Sequence, residues 1–98
     1  MEKTAFLGVV IALPTVEPGF DGVTVARFPV ALYPFNQNVI FDVWTVRDQA
    51  KFCLSHISID SMVYIEGQFG NVGYYEDDSS PLMIFIQADR VVKIGDGT

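Results

Sequence analysis

Apolar and polar residues alternate along most of the chain, in short segments separated by Gly, Pro and Asp residues. This alternation is typical of β-strands that bury one face. In residues 23–33, for example, it places every second residue from Thr24 to Leu32 inward and leaves Arg27 and Pro29 outward. The pattern predicts strands over residues 4–13, 23–33, 39–46, 62–74 and 82–94.

One segment has helical spacing instead. Its apolar positions, three or four residues apart, are Ala50, Cys53, Leu54 and Ile57. They predict a helix over residues 49–57, with Asp48 as its N-cap or in its first turn. The order of three strands, one helix and two strands predicts an all-β, five-stranded OB-fold barrel with one helix between strands 3 and 4. Folds of this class commonly bind oligonucleotides, and we expect a single such domain over residues 1–98.

Particular residues interrupt the predicted strands. Gly8 predicts a bulge or a sharp bend. Pro29 lacks a backbone donor, so it predicts a sheet edge or a bulge. The polar residues 76–81 predict a hairpin loop between the last two strands.

The charge balance counts against unaided nucleic-acid binding. The formal net charge is −6, and contacts with phosphates need cations. The sequence contains six of them: Lys3, Arg27, Arg47, Lys51, Arg90 and Lys93. Net charge alone does not decide the matter, because an acidic protein can carry a local basic stripe.

The sequence predicts neither an enzyme nor a cofactor or metal site. Cys53 and His56 are the only soft metal ligands, and no glycine-rich phosphate loop is present. A single cysteine excludes an internal disulfide and suits a reducing compartment, such as the cytosol or its organellar equivalent. No apolar run reaches the roughly 18 residues of a membrane span, so we expect no membrane association.

Segments in order along the chain resemble the bacterial single-stranded DNA-binding protein family. They are residues 22–32 (G-V-T-V-A-R-F-P-V-A-L), 47–50 (R-D-Q-A), 63–68 (V-Y-I-E-G-Q) and 87–91 (Q-A-D-R-V). The resemblance covers residues 3–95. It implies a short OB-fold protein that binds single-stranded DNA on its outer surface and assembles into a homodimer or homotetramer.

In that family, bases stack on outward aromatic residues of strand 3 and late strand 4. Ile40 and Val46 stand at the strand-3 stacking positions here, and Trp44 shares their face. Tyr74 and Tyr75 stand at the strand-4 position. The resemblance therefore implies stacking on Trp44, Tyr74 and Tyr75, with subunit contact as the alternative role for each.

The resemblance also implies phosphate contacts and a subunit interface. Arg27 and Arg47 are the first candidates for phosphate contacts, followed by Lys51 and Lys3; the alternative for each is ordinary solvated charge. Two further residues, Tyr64 and Glu66, share a strand face that builds subunit contacts in the family.

A different function is also open. The chain is acidic, and it lacks the Gly/Gln/Pro-rich tail with an acidic tip that replicative family members carry. Both features suit a protein–protein interaction module that has lost DNA binding. The DNA hypothesis gains if the cations share one face with Trp44 and the tyrosines, and loses if they lie scattered opposite acids.

Overall fold

The structure, a computed structural model, describes residues 3–19, 21–34, 36–73 and 82–96. Its elements are β1 (Lys3–Val10), β2 (Thr15–Glu17), β3 (Val25–Leu32), β4 (Asn36–Val46), α1 (Arg47–His56), β5 (Ser61–Gly73) and β6 (Leu82–Asp96). The five predicted strands and the predicted helix are confirmed, and β2 is an additional short strand in the loop after Pro14. Tyr74, Tyr75 and the hairpin loop predicted at 76–81 lie outside the described residues.

Five of these strands close into the predicted OB-type barrel. They follow the order β1-β5-β6-β4-β3, and β1 pairs with β3 to complete the circle. All pairs are antiparallel except β4 with β6. Register shifts in the β3–β4 and β5–β6 pairs let the strands bend around the barrel.

The core follows the two-residue period of the strands. Its largest fully buried side chains include Phe28, Ile65 and Ile86, contributed by β3, β5 and β6. The helix α1 packs against β3, β4 and β6. It buries Ala50 and Cys53, two of its predicted apolar positions, while Asp48 lies in its first turn as expected.

The predicted end of the first strand and the bulge predicted as one alternative at Gly8 are wrong. The first strand ends at Val10 rather than at residue 13, because the Val10 carbonyl accepts a hydrogen bond from the N–H of Asp60 and the chain turns away. Gly8 marks no bulge, since it pairs regularly with Leu32 and Val63. A Cβ there would collide with Val30, so close packing is what requires glycine.

Pro29 lies neither on an edge strand nor at a bulge. It pairs with Asp42 inside the sheet, and the register shift of β3 lies between Ala31 and Leu32. The Pro29 carbonyl accepts a hydrogen bond from Ile11, just past the end of β1. The N and C=O of a strand residue point to the same side of the strand. The Pro29 nitrogen, which has no hydrogen to donate, therefore faces the gap between β1 and β2.

Candidate nucleic-acid interface

The outer face of β4 carries Trp44 and Asp42, as the sequence predicts. Trp44 pairs with Arg27 on β3 and with Gln87 on β6, and its indole is half-buried. Asp42 faces outward too, but its side chain is only 5% exposed. Its cross-strand neighbours, Pro29 and Phe85, narrow its access to water.

Arg27 forms an ion-pair cluster with the two carboxylates nearest to Trp44. Its Nε lies 3.5 Å from Oε1 of Glu17 and 3.7 Å from Oδ1 of Asp42. The guanidinium lies over the indole of Trp44, 5.1 Å from the ring centroid, a cation–π distance. Trp44 Nε1 donates a 3.1 Å hydrogen bond to Oδ2 of Asp42. Burial raises the pKa of Asp42, and Arg27 and the Trp44 hydrogen bond offset only part of that rise.

An apolar groove of about 610 Å³ runs beside Trp44 and is called the Trp44 groove below. Its lining includes Pro18, Val25, Trp44, Val46, Gly70 and Phe85. The loop before β3 and the outer faces of β3, β4, β5 and β6 therefore all contribute to it. Phe85 was missed from the sequence, although its alternation with the buried Ile86 and Ala88 signals an outward position.

A basic pocket of about 340 Å³ adjoins this groove, at the junction of β4 and α1. Arg47 and Lys51 line it together with one acid, Asp48, and Val23 lines both the pocket and the groove. Both cations are exposed, and neither forms an ion pair with a carboxylate among the described residues. Arg47 has φ 55°, in the left-handed region, and its N–H donates a 2.8 Å hydrogen bond to the carbonyl of Thr24.

The remaining cations lie opposite acids. The pairs are Lys3–Asp89 at 3.7 Å, Arg90–Glu66 at 3.7 Å and Lys93–Asp96 at 2.9 Å. Lys3, opposite Gln68 at the start of β1, does not line the Trp44 groove, and its Nζ is paired with Asp89. The predicted phosphate contacts thus divide: Arg47 and Lys51 adjoin the groove, Arg27 is paired beside it, and Lys3 lies apart.

Tyr64 and Glu66 share the outer face of β5, as predicted. Tyr64 pairs with Leu7 on β1 and with Val92 on β6, which places these three side chains in a row across the sheet. The side chain of Leu7 is 39% exposed. A hydrogen bond to Glu66 raises the pKa of the Tyr64 phenol.

Solved structures share this fold. A small single-stranded DNA-binding protein from Streptomyces coelicolor matches with a TM-score of 0.74 and 17% identity, over 94% of this chain and 91% of that one. The SSB domain of a Synechococcus sp. protein matches with a TM-score of 0.70 and 15% identity, over 93% of each chain. The second single-stranded DNA-binding protein of Mycobacterium smegmatis gives 0.70 and 17%, over 94% and 87%. No family model and no curated protein matches the sequence. At these identities, the shared property is the OB-type fold.

Proposed function

We propose that this chain binds single-stranded DNA weakly, with a base in the Trp44 groove and backbone phosphates on Arg47 and Lys51. The observation that carries the proposal is contiguity. The groove beside Trp44 and the pocket that contains Arg47 and Lys51 share Val23 in their linings. Neither cation has a carboxylate partner among the described residues. The solved structures that share the fold include single-stranded DNA-binding proteins, which supports the same ligand here.

Stacking supplies the sequence-tolerant part of the binding. A base stacked on an aromatic side chain contributes about 1–3 kcal/mol. Arg27 covers one face of the Trp44 indole, so the other face serves the base. Tyr74 and Tyr75 follow β5 directly in sequence, and we propose them as the next stacking residues along the strand.

The phosphate contribution is small because, within the part of the chain that the structure describes, only Arg47 and Lys51 among the cations form no ion pair. With Arg47 and Lys51 as the phosphate contacts, the slope of log K against log salt for a single strand is about −1.4. Binding is therefore measurable at low salt and lost early as the salt concentration rises. This weakness agrees with the net charge of −6.

The experiment is titration of Trp44 fluorescence with a poly-dT oligonucleotide across a salt series. Trp44 is the only tryptophan in the sequence, so the signal has one source. Saturable quenching that weakens with salt, and that Arg47→Asn and Lys51→Gln reduce, supports the proposal. Lys93→Gln is the matched control, because it removes a cation that is paired with Asp96 on β6. The absence of both quenching and a mobility shift at low salt refutes DNA binding.

Arg27 needs a neutral substitution in such work. Arg27→Glu would place a third carboxylate against Glu17 and Asp42, so lost binding could reflect a damaged fold. Arg27→Gln avoids that repulsion.

We also propose self-association through the outer face of β1, β5 and β6, into a homodimer or homotetramer. The row of Leu7, Tyr64 and Val92 supports this, with Glu66 and Arg90 beside it. Sedimentation velocity tests it: Leu7→Glu dissociates the oligomer, whereas Val16→Glu, at a 66% exposed position on β2, leaves it intact. A monomeric unmodified protein at high micromolar concentration refutes the interface.

A protein-interaction module is the second candidate. The pairing of Lys3, Arg27, Arg90 and Lys93 with acids favours it, as does the apolar lining of the Trp44 groove. If the protein does not bind DNA, this alternative is tested by capturing partner proteins from native extract. The proteins recovered by wild type are compared with those recovered by Trp44→Ala. Recovery of the same proteins by both refutes the groove as the docking site.

A further inference from the structure

The cluster of Glu17, Arg27 and Asp42 contains more negative than positive charge. Two carboxylates face one guanidinium, at 3.5 and 3.7 Å. Asp42 has a 5% exposed side chain, so water hydrates its charge poorly and Arg27 serves as its counter-ion. The Arg27 side chain is itself 42% exposed, which leaves it within reach of a ligand.

The cluster of Glu17, Arg27 and Asp42 lies beside Trp44, where the proposed DNA strand would pass. Arg27 lies directly opposite Trp44 in the β3–β4 ladder and covers its indole. A phosphate of a strand that crosses Trp44 therefore passes close to the Arg27 guanidinium. It meets a cation that two carboxylates already neutralise, and it is repelled by the excess negative charge.

We propose that Glu17 and Asp42 act as an internal counter-anion that withholds Arg27 from nucleic-acid phosphates and thereby lowers the affinity of the Trp44 groove. The inference rests on the proposed DNA binding and adds a determinant of its strength. Glu17 and Asp42 differ in how they contribute. Glu17 reaches in from the short strand β2 and is 27% exposed, whereas Asp42 is fixed by its hydrogen bond to Trp44.

Glu17→Gln separates this effect from folding. It removes the more exposed carboxylate and leaves the Arg27–Asp42 pair in place. Asp96→Asn is a matched control, because it also removes one negative charge from an ion pair, with Lys93 at 2.9 Å, at the C-terminal end of β6 and outside the groove lining. Binding is measured by the anisotropy of a labelled poly-dT oligonucleotide across a salt series, so that the readout does not depend on Trp44.

Glu17→Gln is expected to raise affinity several-fold at low salt and to steepen the salt slope by about 0.7, the contribution of one added phosphate contact on a single strand. Asp96→Asn is expected to do neither. Adding Arg27→Gln to Glu17→Gln should abolish the gain, because Arg27 is the group released.

Two results would overturn the inference while DNA binding stands. One is a gain for Glu17→Gln no larger than that for Asp96→Asn. The other is a gain that persists when Arg27 is replaced. Failure of every variant to bind DNA would instead overturn the proposed function, and the inference with it. Binding by Glu17→Gln but not by wild type would support the inference and overturn the proposed binding by the unmodified chain.

Discussion

The side-chain carbonyl of Gln49, in the first turn of α1, accepts a 2.8 Å hydrogen bond from the backbone N–H of Val91 on β6. The parallel pairing of β6 with β4 ends at Gln87, so the N–H of Val91 has no partner in that ladder. The helix supplies one through a side chain and ties itself to the barrel. The contact joins two residues that lie 42 positions apart in the chain.

Removing the Gln49 acceptor should destabilise the fold. Gln49→Met keeps the side-chain volume but leaves the Val91 N–H unpaired, a cost of about 1–3 kcal/mol. Urea unfolding measures it. The control is Gln87→Met, at an exposed position, which should change stability by less than about 0.5 kcal/mol. Equal stability of the two variants would mean that the hydrogen bond contributes nothing.

Gly67 should not tolerate a side chain. A Cβ at this position in β5 would collide with the backbone carbonyl of Gln87 and approach Cα of Ala88 to 2.9 Å. Because backbone cannot rotate away, we expect Gly67→Ala to destabilise the protein by about 1–3 kcal/mol. Gly95→Ala is the matched control, with nothing within 4 Å of its Cβ, and should be neutral or slightly stabilising. Thermal unfolding of both variants checks the contrast, and similar melting temperatures would contradict it.

Asp42→Asn should not lower stability at pH 7. Burial is the largest influence on Asp42 and raises its pKa, so the folded state disfavours the charge. Asparagine removes the charge and keeps an acceptor for Trp44 Nε1. The folded state binds a proton more readily than the unfolded state, so the contribution of Asp42 to stability falls as pH rises between the ordinary Asp pKa, about 3.9, and the raised value.

The stabilising effect of Asp42→Asn should therefore be about 1 kcal/mol or less at pH 7 and vanish below that window. Chemical unfolding from pH 3 to pH 7 tests this, with Asp89→Asn, an exposed carboxylate on β6, as control. A loss of stability at pH 7 would show that attraction to Arg27 outweighs the cost of burial.

Two substitutions of Arg47 separate the effect of its backbone strain from the effect of its charge. Its φ of 55° is unfavourable for any residue with a Cβ except Asn or Asp, which tolerate the left-handed region better. Arg47→Asn should therefore be more stable than Arg47→Ala by about 0.5–1 kcal/mol, a fraction of the usual left-handed penalty. Both lose the charge, so both should weaken poly-dT binding equally and flatten its salt slope by about 0.7. Unequal binding losses would show that backbone conformation, rather than charge, governs the pocket.

Cys53 should be unreactive in the folded protein. Burial raises the pKa of its thiol to about 11, and the thiolate is the reactive form. Ellman's reagent at pH 8 should therefore react slowly in buffer and at once in denaturant. Cys53 is the only cysteine, so the rate reports on one site. Full reaction in buffer within seconds would contradict the buried position.

The order of elements and the inward faces follow from the sequence, because local periodicity fixes which side chains point together. The alternation of β3 and β4 placed Phe28 inside and Trp44 outside, as the barrel has them. The helical spacing placed Cys53 in the core. Local conformation was predicted less well where it depends on residues far away in the chain. Gly8 is required by close packing against Val30. Pro29 is tolerated because its nitrogen faces the gap between β1 and β2.

Local pattern and composition are enough to predict an OB-type barrel, an outward Trp44 and a set of six cations in an acidic chain. They do not predict which of those cations pair with acids, because that depends on contacts made in the folded barrel. Glu17 reaches Arg27 because β2 pairs with β3, and no local pattern predicts that pairing. Arg47 and Lys51 meet the Trp44 groove because α1 begins where β4 ends. Charge pairing depends on distances between residues far apart in the chain, and those distances exist only once the barrel has closed.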